Sequence, residues 1–320
     1  MGNSNSNPSA AAVEASVHVG GLAPDVAGVL APGKLGRVRN GHPPLEATIG
    51  GSRLSLKTHD GFKLDALYVE SQKLLDSNPW GVIIFHGNAM CLDAMGVFAQ
   101  FYQSRGIHVL LVTMRGYPGS EGDVRTEGEP GIYFDVAAAV DFMITKKMFS
   151  PQHLIAHGFS LGGSLAAAAA VHHKLGGLVL DHTFTSAAAV AQHNAVCIVA
   201  QHVSKWIPQW MSASVAEGAM NATFVAGNDV QLGRAGCVKT DGLSSLNKVK
   251  HYNGRLVLIY GTDDTIIPTS HADEFEEAYG GSSFTRVEVK GGTHNDCNHF
   301  RNTRQCNEIA RGLALPTLKA

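Results

Sequence analysis

One serine is set apart by its neighbours. In His157-Gly-Phe-Ser-Leu-Gly-Gly163, Ser160 lies between Gly158 and Gly162, after the apolar Leu154-Ile155-Ala156 and before an alanine-rich run from Leu165 to Val171. Gly-x-Ser-x-Gly at a strand-to-helix junction is a nucleophile elbow. The chain turns abruptly there, leaving the serine backbone strained and its Oγ exposed. Side chains two residues to either side would clash, so glycines stand at those positions. The helix that follows aims its N-terminus at the site, where the backbone N–H of Leu161 can stabilise an oxyanion. In a chain with 36 glycines the pattern alone says little, and its strand–turn–helix context carries the reading.

A serine hydroxyl is a poor nucleophile without a base, and the base needs an orienting acid. The apolar run Arg255 to Gly261 is followed by Thr262-Asp263-Asp264-Thr-Ile-Ile-Pro268. Both carboxylates fall at a strand's C-terminal end, where open α/β sheets gather their sites. One can orient a base and the other cap the turn. His294 lies in Gly291-Gly-Thr-His-Asn-Asp296, just after the run Phe284 to Lys290. With 16 histidines present, its position and the order Ser, Asp, His single it out. A metal cluster of His294, Cys297 and His299 would need three ligands from one short loop, so no metal is expected. In Phe85-His-Gly-Asn-Ala-Met90, the amide near Asn88 can complete an oxyanion hole with Leu161. The set predicts acyl transfer with no metal and no organic cofactor.

The elements that must position these residues alternate along the chain. Arg53 to Thr58 and Phe62 to Glu70 read as strands joined by the turn His59-Asp60-Gly61. Trp80 to His86, His108 to Met114, His153 to His157, Gly177 to His182, Arg255 to Gly261 and Phe284 to Lys290 read as buried strands. Helix-length segments separate them, including Asp93 to Gly106 and an amphipathic Gly131 to Lys147. Continuous apolar strands alternating with helices imply a mostly parallel sheet of about eight strands covered on both faces. The stretch from about 187 to 250 is too long for a simple crossover and reads as an inserted cap. Trp206, Ile207, Trp210 and Met211 would form an apolar face there, interrupted by Pro208. That face would line an acyl tunnel, meet a membrane or simply pack on the body. Residues 1–45, rich in Gly, Ala, Ser, Asn and Pro, read as a flexible arm before a hydrolytic domain over 46–320.

Composition excludes several classes. A formal net charge of −2 gives no electrostatic basis for a nucleic-acid partner. Five scattered cysteines without a CxxC pair fit a reduced, cytoplasmic protein. There is no basic signal region and no bilayer-spanning apolar run. Met1-Gly-Asn-Ser-Asn-Ser6 fits the N-myristoylation pattern at Gly2, and fits a plain polar tail equally. One myristoyl chain gives only reversible contact, so the expected location is the cytoplasm or the cytosolic face of a membrane.

The motifs FHGNA, RGYPGSEG, GFSLGG, DHTFTS, GTDDTIIP and GGTHND together resemble the bud-emergence (BEM-like) branch of the α/β-hydrolases. That branch includes membrane-associated serine hydrolases and related protein depalmitoylases. The likeness covers roughly residues 50–186 and 240–312. It implies the α/β-hydrolase fold with Ser160 as nucleophile, His294 as base and Asn88 and Leu161 as oxyanion donors. The branch's Gly-x-x-Asp-x-x-Val/Ile-Pro pattern falls on Gly261, Asp264 and Pro268, which makes Asp264 the orienting acid. Arg115 and Tyr117, in the loop after the fourth strand, are expected to have structural roles near the site. The implied substrates are acyl esters or thioesters, on small molecules or lipidated proteins. A serine peptidase on the same triad and a non-catalytic scaffold are the alternatives, and the lack of a large gating domain argues against the peptidase. Relatives often begin with a membrane helix or a palmitoylated segment, where this chain has the Gly2 pattern. The stretch 212–240 looks longer than in the branch, which leaves substrate specificity open.

Overall fold

The short apolar runs form one sheet. The computed structural model describes residues 44–71, 79–202 and 224–317. Its strands are β1 (Ser52–Lys57), β2 (Lys63–Val69), β3 (Gly81–Phe85), β4 (His108–Val112), β5 (Leu154–Phe159), β6 (Gly177–Asp181), β7 (Asp229–Gln231), β8 (Cys237–Lys239), β9 (Arg255–Gly261) and β10 (Phe284–Val289). Eight of them make one sheet in the order β1-β2-β4-β3-β5-β6-β9-β10, while β7 and β8 pair separately. Only β1–β2 and β2–β4 are antiparallel in the large sheet. All pairs from β4 to β10 run parallel. The C-terminal ends of β3, β5, β6, β9 and β10 therefore open on one rim, which collects the loops singled out in the sequence.

The helices are α1 (Leu45–Ile49), α2 (Gly96–Gln103), α3 (Val124–Asp141), α4 (Gly162–His172), α5 (Ala187–His202), α6 (Ser245–Val249), α7 (Ser270–Ala278) and α8 (Thr303–Gly312). They divide between the sheet's faces, and the division follows the period-two alternation of the strands. Ile83 and Phe85 of β3 point to a core shared with Val136 of α3, Leu165 of α4, Val249 of α6 and Phe275 of α7. Val82 and Ile84 point to the other core, with Leu45 of α1, Phe98 and Tyr102 of α2 and Ile309 of α8. The run Ala166 to Ala170 in α4 is fully buried. Its small side chains let that helix lie close against the sheet behind Ser160.

Three details depart from the sequence reading. Residues 93–106 are not one helix: a 3₁₀ turn at Leu92–Ala94 precedes α2. The segment expected to be an amphipathic helix from Gly131 begins earlier, breaks at Gly128 and ends in a π turn at Phe142–Lys146. Nor is it amphipathic: Tyr133 and Ala137 are buried against Val230 and Leu232 of the β7–β8 hairpin. That hairpin lies within the stretch read as an inserted cap, and it covers one face of α3. Gly2 and the rest of the arm to residue 43 lie outside the described residues, as do Trp206, Ile207, Pro208, Trp210 and Met211. No helix of the described residues is long and apolar enough to cross a membrane.

Candidate active site

Ser160 sits between β5 and α4 with φ at +52°, in the left-handed region that costs a non-glycine residue energy. Its backbone N–H donates to the Asp181 carbonyl (2.8 Å), and its own carbonyl accepts from Thr183 Oγ1 (2.6 Å). The strained turn is thus tied on both sides to β6 and the residues after it. A Cβ on Gly158 would stand 2.0 Å from the Gly162 carbonyl oxygen, and one on Gly162 would stand 2.2 Å from that of Phe85. No side chain fits at either place, which is the steric reason for the pattern.

The three residues expected to act together do meet. His294 Nε2 lies 3.0 Å from Ser160 Oγ, and His294 Nδ1 lies 2.8 Å from Asp264 Oδ2. The other Asp264 oxygen accepts the amides of Ile266 (2.9 Å) and Ile267 (2.8 Å), so the carboxylate cannot swing away. Burial would raise the Asp264 pKa. The hydrogen bond and charge of His294, with the two amides, outweigh burial and hold it below the usual range. Asp264 therefore stays ionised and fixes the imidazole with its proton on Nδ1 and Nε2 free to accept from the serine. Asp263 is exposed and, among the described residues, accepts from Thr262 Oγ1 (3.0 Å) rather than from a histidine, which separates the two adjacent acids. Ser160, Asp264 and His294 are all nearly closed to solvent, with 7–9% of their surface exposed.

Asn88 lies at the turn after β3, and Leu161 directly follows Ser160. Neither N–H donates in the turn and loop hydrogen bonds of the described residues. The Asn88 turn is braced from two sides. Its side-chain oxygen accepts from Tyr117 (2.8 Å). His86, against which the Tyr117 ring packs edge-on, donates from Nδ1 to the Gly87 carbonyl (2.7 Å) and accepts the Met114 amide at Nε2 (3.1 Å). Full burial lowers the His86 pKa to about 4, so this brace is a neutral imidazole. Arg115 is also sealed, held by Asp135 Oδ1 (2.7 Å) and Asp60 Oδ2 (2.8 Å). Tyr117 and Arg115 thus have the structural roles expected of them.

His294, Cys297 and His299 do not converge. His294 is on the serine, while His299 Nε2 lies 3.1 Å from Asp181 Oδ2. Among the described residues no group of three or more His, Cys, Asp or Glu side chains is arranged to hold a metal ion. Sequence reasoning did not single out Asp181 as a site residue, although it is the hub beneath the serine. Besides His299, it meets His182 Nδ1 at 2.6 Å through Oδ1 and His157 Nε2 at 3.3 Å through Oδ2. The available signal was an acid at the end of a buried strand, next to a histidine and level with the elbow.

Comparison with known proteins places this architecture. Residues 82–309 match the alpha/beta hydrolase family. The chain is 27% identical over 146 residues to protein bem46 of Schizosaccharomyces pombe, covering 45% of this chain and 48% of that protein. It is 32% identical over 118 residues to a multifunctional-autoprocessing repeats-in-toxin protein of Vibrio cholerae, 34% of this chain and 2% of the toxin. The match therefore spans about half of the first relative and a small fraction of the second. An esterase of Pyrococcus furiosus superposes with a TM-score of 0.64 at 18% identity, over 87% of this chain and 96% of that one. At that identity the likeness is one of fold.

Proposed function

The chain belongs to the alpha/beta hydrolase family, and from that premise we propose that it is a serine hydrolase cleaving an ester or thioester through an acyl-enzyme on Ser160. The observation that carries this reading is the continuous relay from Ser160 Oγ through His294 to Asp264, with 3.0 and 2.8 Å steps. In the first half-reaction, His294 Nε2 takes the Ser160 proton as Oγ attacks the substrate carbonyl. The tetrahedral oxyanion is held by the amides of Asn88 and Leu161. Collapse breaks the bond to the leaving group, which departs with the proton from His294. Water then enters, gives its proton to His294 and attacks the acyl carbon, releasing the acid and restoring Ser160.

The proposed substrates are acyl esters of small molecules or S-acylated proteins. A myristoyl group on Gly2 would bring the enzyme into reversible contact with a membrane that holds such substrates. The test is labelling with a fluorophosphonate probe, wild type beside Ser160→Ala. Labelling of the wild type alone is expected. A folded wild type that does not label would sink the reading and favour a non-catalytic scaffold. Acyl ester, acyl thioester and peptide-amide substrates compared on the labelled protein then separate the esterase and peptidase readings.

A further inference from the structure

The rim opposite the serine carries a cleft that the proposed reaction does not use. It opens where β6, β9 and β10 begin and holds about 640 Å³, within the roughly 300–1,000 Å³ of small-molecule sites. Its charge comes from Lys174 at the turn from α4 into β6, His251 in the loop before β9, and Arg255, the first residue of β9. Ser282 and Ser283, just ahead of β10, add hydroxyls. Ala170, Val171, Leu175 and Tyr252 form the apolar part of the wall. Among the described residues no Asp or Glu lines it. In a chain of net charge −2, this is a local concentration of positive charge.

The two permanent cations are unmatched. Arg53, Arg115 and Arg286 each hold two or more carboxylates. Among the described residues, the side chains of Lys174 and Arg255 have neither an ion-pair nor a hydrogen-bond partner. Arg255 is half-buried, so its charge is partly withdrawn from water with nothing to offset it. The walls are fixed. Tyr252 Oη donates to the Leu175 carbonyl (3.0 Å) and Tyr279 Oη to the Gly254 carbonyl, which pins the loop before β9. Lys174 itself is strained. At the end of α4 the Leu175 amide donates to the Ala170 carbonyl (2.9 Å) and the Lys174 amide to that of Val171 (3.4 Å), the pattern of a Schellman turn. Such a turn needs one left-handed residue, normally glycine, and here it is Lys174 at a φ of +54°. Glycine would relieve the backbone, and the described fold gives the lysine side chain no partner. A ligand in the cleft would.

We propose that this cleft is a second ligand site, which takes a phosphomonoester dianion carried on a compact apolar body. Two permanent cations match its two negative charges. The Arg255 guanidinium can grip two phosphate oxygens at once, and the Lys174 ammonium acts as a point charge. Ser282, Ser283 and His251 complete the donors around the phosphate. The cleft is larger than a phosphate group, and its apolar wall suits the organic part. A carboxylate, with one charge, would leave one cation unmatched. The six residues of β5 separate this rim from the serine by roughly 20 Å, so the site is independent of the hydrolase reading.

The test uses the full chain with phenyl phosphate, and with benzoate as the comparison at constant ionic strength. Binding is read by titration calorimetry and by the rise in unfolding temperature. Phenyl phosphate should bind saturably and more tightly than benzoate. Arg255→Gln should weaken that binding about tenfold or more. Lys174→Gly should weaken it comparably while leaving the unfolding temperature of the free protein unchanged or higher, because glycine suits the turn. A variant that lost binding through misfolding would unfold at a lower temperature. Ser160→Ala should bind phenyl phosphate as the wild type does, which separates this cleft from the catalytic rim. Co-sedimentation with phosphatidylcholine vesicles, with and without phosphatidic acid, distinguishes the source. Recruitment by phosphatidic acid that Arg255→Gln abolishes identifies a lipid headgroup, and saturable phenyl phosphate binding without recruitment identifies a soluble ligand. Benzoate binding as tightly as phenyl phosphate, unsaturable binding, or binding unmoved by both Arg255→Gln and Lys174→Gly overturns the proposal, whether or not Ser160 takes the fluorophosphonate label.

Discussion

Asp264 and Asp181 follow or end neighbouring parallel strands, and each holds a histidine at hydrogen-bond distance. Their surroundings give them different roles. Asp264 has one oxygen occupied by two amides and the other by His294, whose far nitrogen opens on Ser160. Asp181 shares its oxygens among three imidazoles, none of which reaches the serine. A carboxylate–imidazole pair orients a base only where the ring's second nitrogen faces a nucleophile. Elsewhere the same pair is a buried charge that ties strands and loops together.

Breaking the first pair should have the largest effect. Asp264→Asn leaves the volume unchanged but removes the charge and the tautomer control on His294. The labelling rate should fall roughly 10³- to 10⁴-fold while the denaturant midpoint changes little. Breaking the second pair should invert that pattern. Asp181→Ala strands three imidazoles at once, and stability should fall by about 3–5 kcal/mol, read from denaturant unfolding.

A smaller effect comes from acid. The folded pKa of His86 is lowered to about 4 by burial, so between the unfolded value and about 4 the unfolded chain binds the extra proton. Its contribution is present above about pH 6.5 and is lost as pH falls toward 4, up to about 3 kcal/mol for a fully buried ring. His173 behaves in the same direction, lowered by burial to about 4. His182 acts oppositely, contributing most below the unfolded histidine pKa and losing that as pH rises through its raised folded value. The unfolding midpoint should therefore decline from neutral pH toward 4, and a flat profile would contradict the neutral state assigned to His86. The smallest change sharpens the contrast between adjacent acids. Asp263→Asn, on the exposed partner, should leave the labelling rate within about twofold and stability within about 0.5 kcal/mol.

The sheet was legible because each strand buried on both faces must be continuously apolar, and runs such as Gly81 to Phe85 have no other use. The elbow was legible because steric exclusion at Gly158 and Gly162 leaves a mark in the sequence. The choice of Asp264 over Asp263 was not visible from the residues alone and needed the family pattern. The Asp181 hub was hidden because His157, His182 and His299 come from three elements and meet only through strand order. The break at Gly128 and the hairpin over α3 were hidden too, since both answer to tertiary cover rather than local periodicity.

One clasp has a wider meaning. Glu129, buried on α3, accepts the amides of Asp241 (3.0 Å) and Gly242 (2.8 Å), just where the chain returns from the insertion. Asp241 in turn holds Lys248 Nζ (2.6 Å) at the end of α6. The returning chain is anchored before it re-enters the sheet at β9. The clasp is a mooring: the path of the chain into β9 is expected to hold whatever length of chain comes before the hairpin.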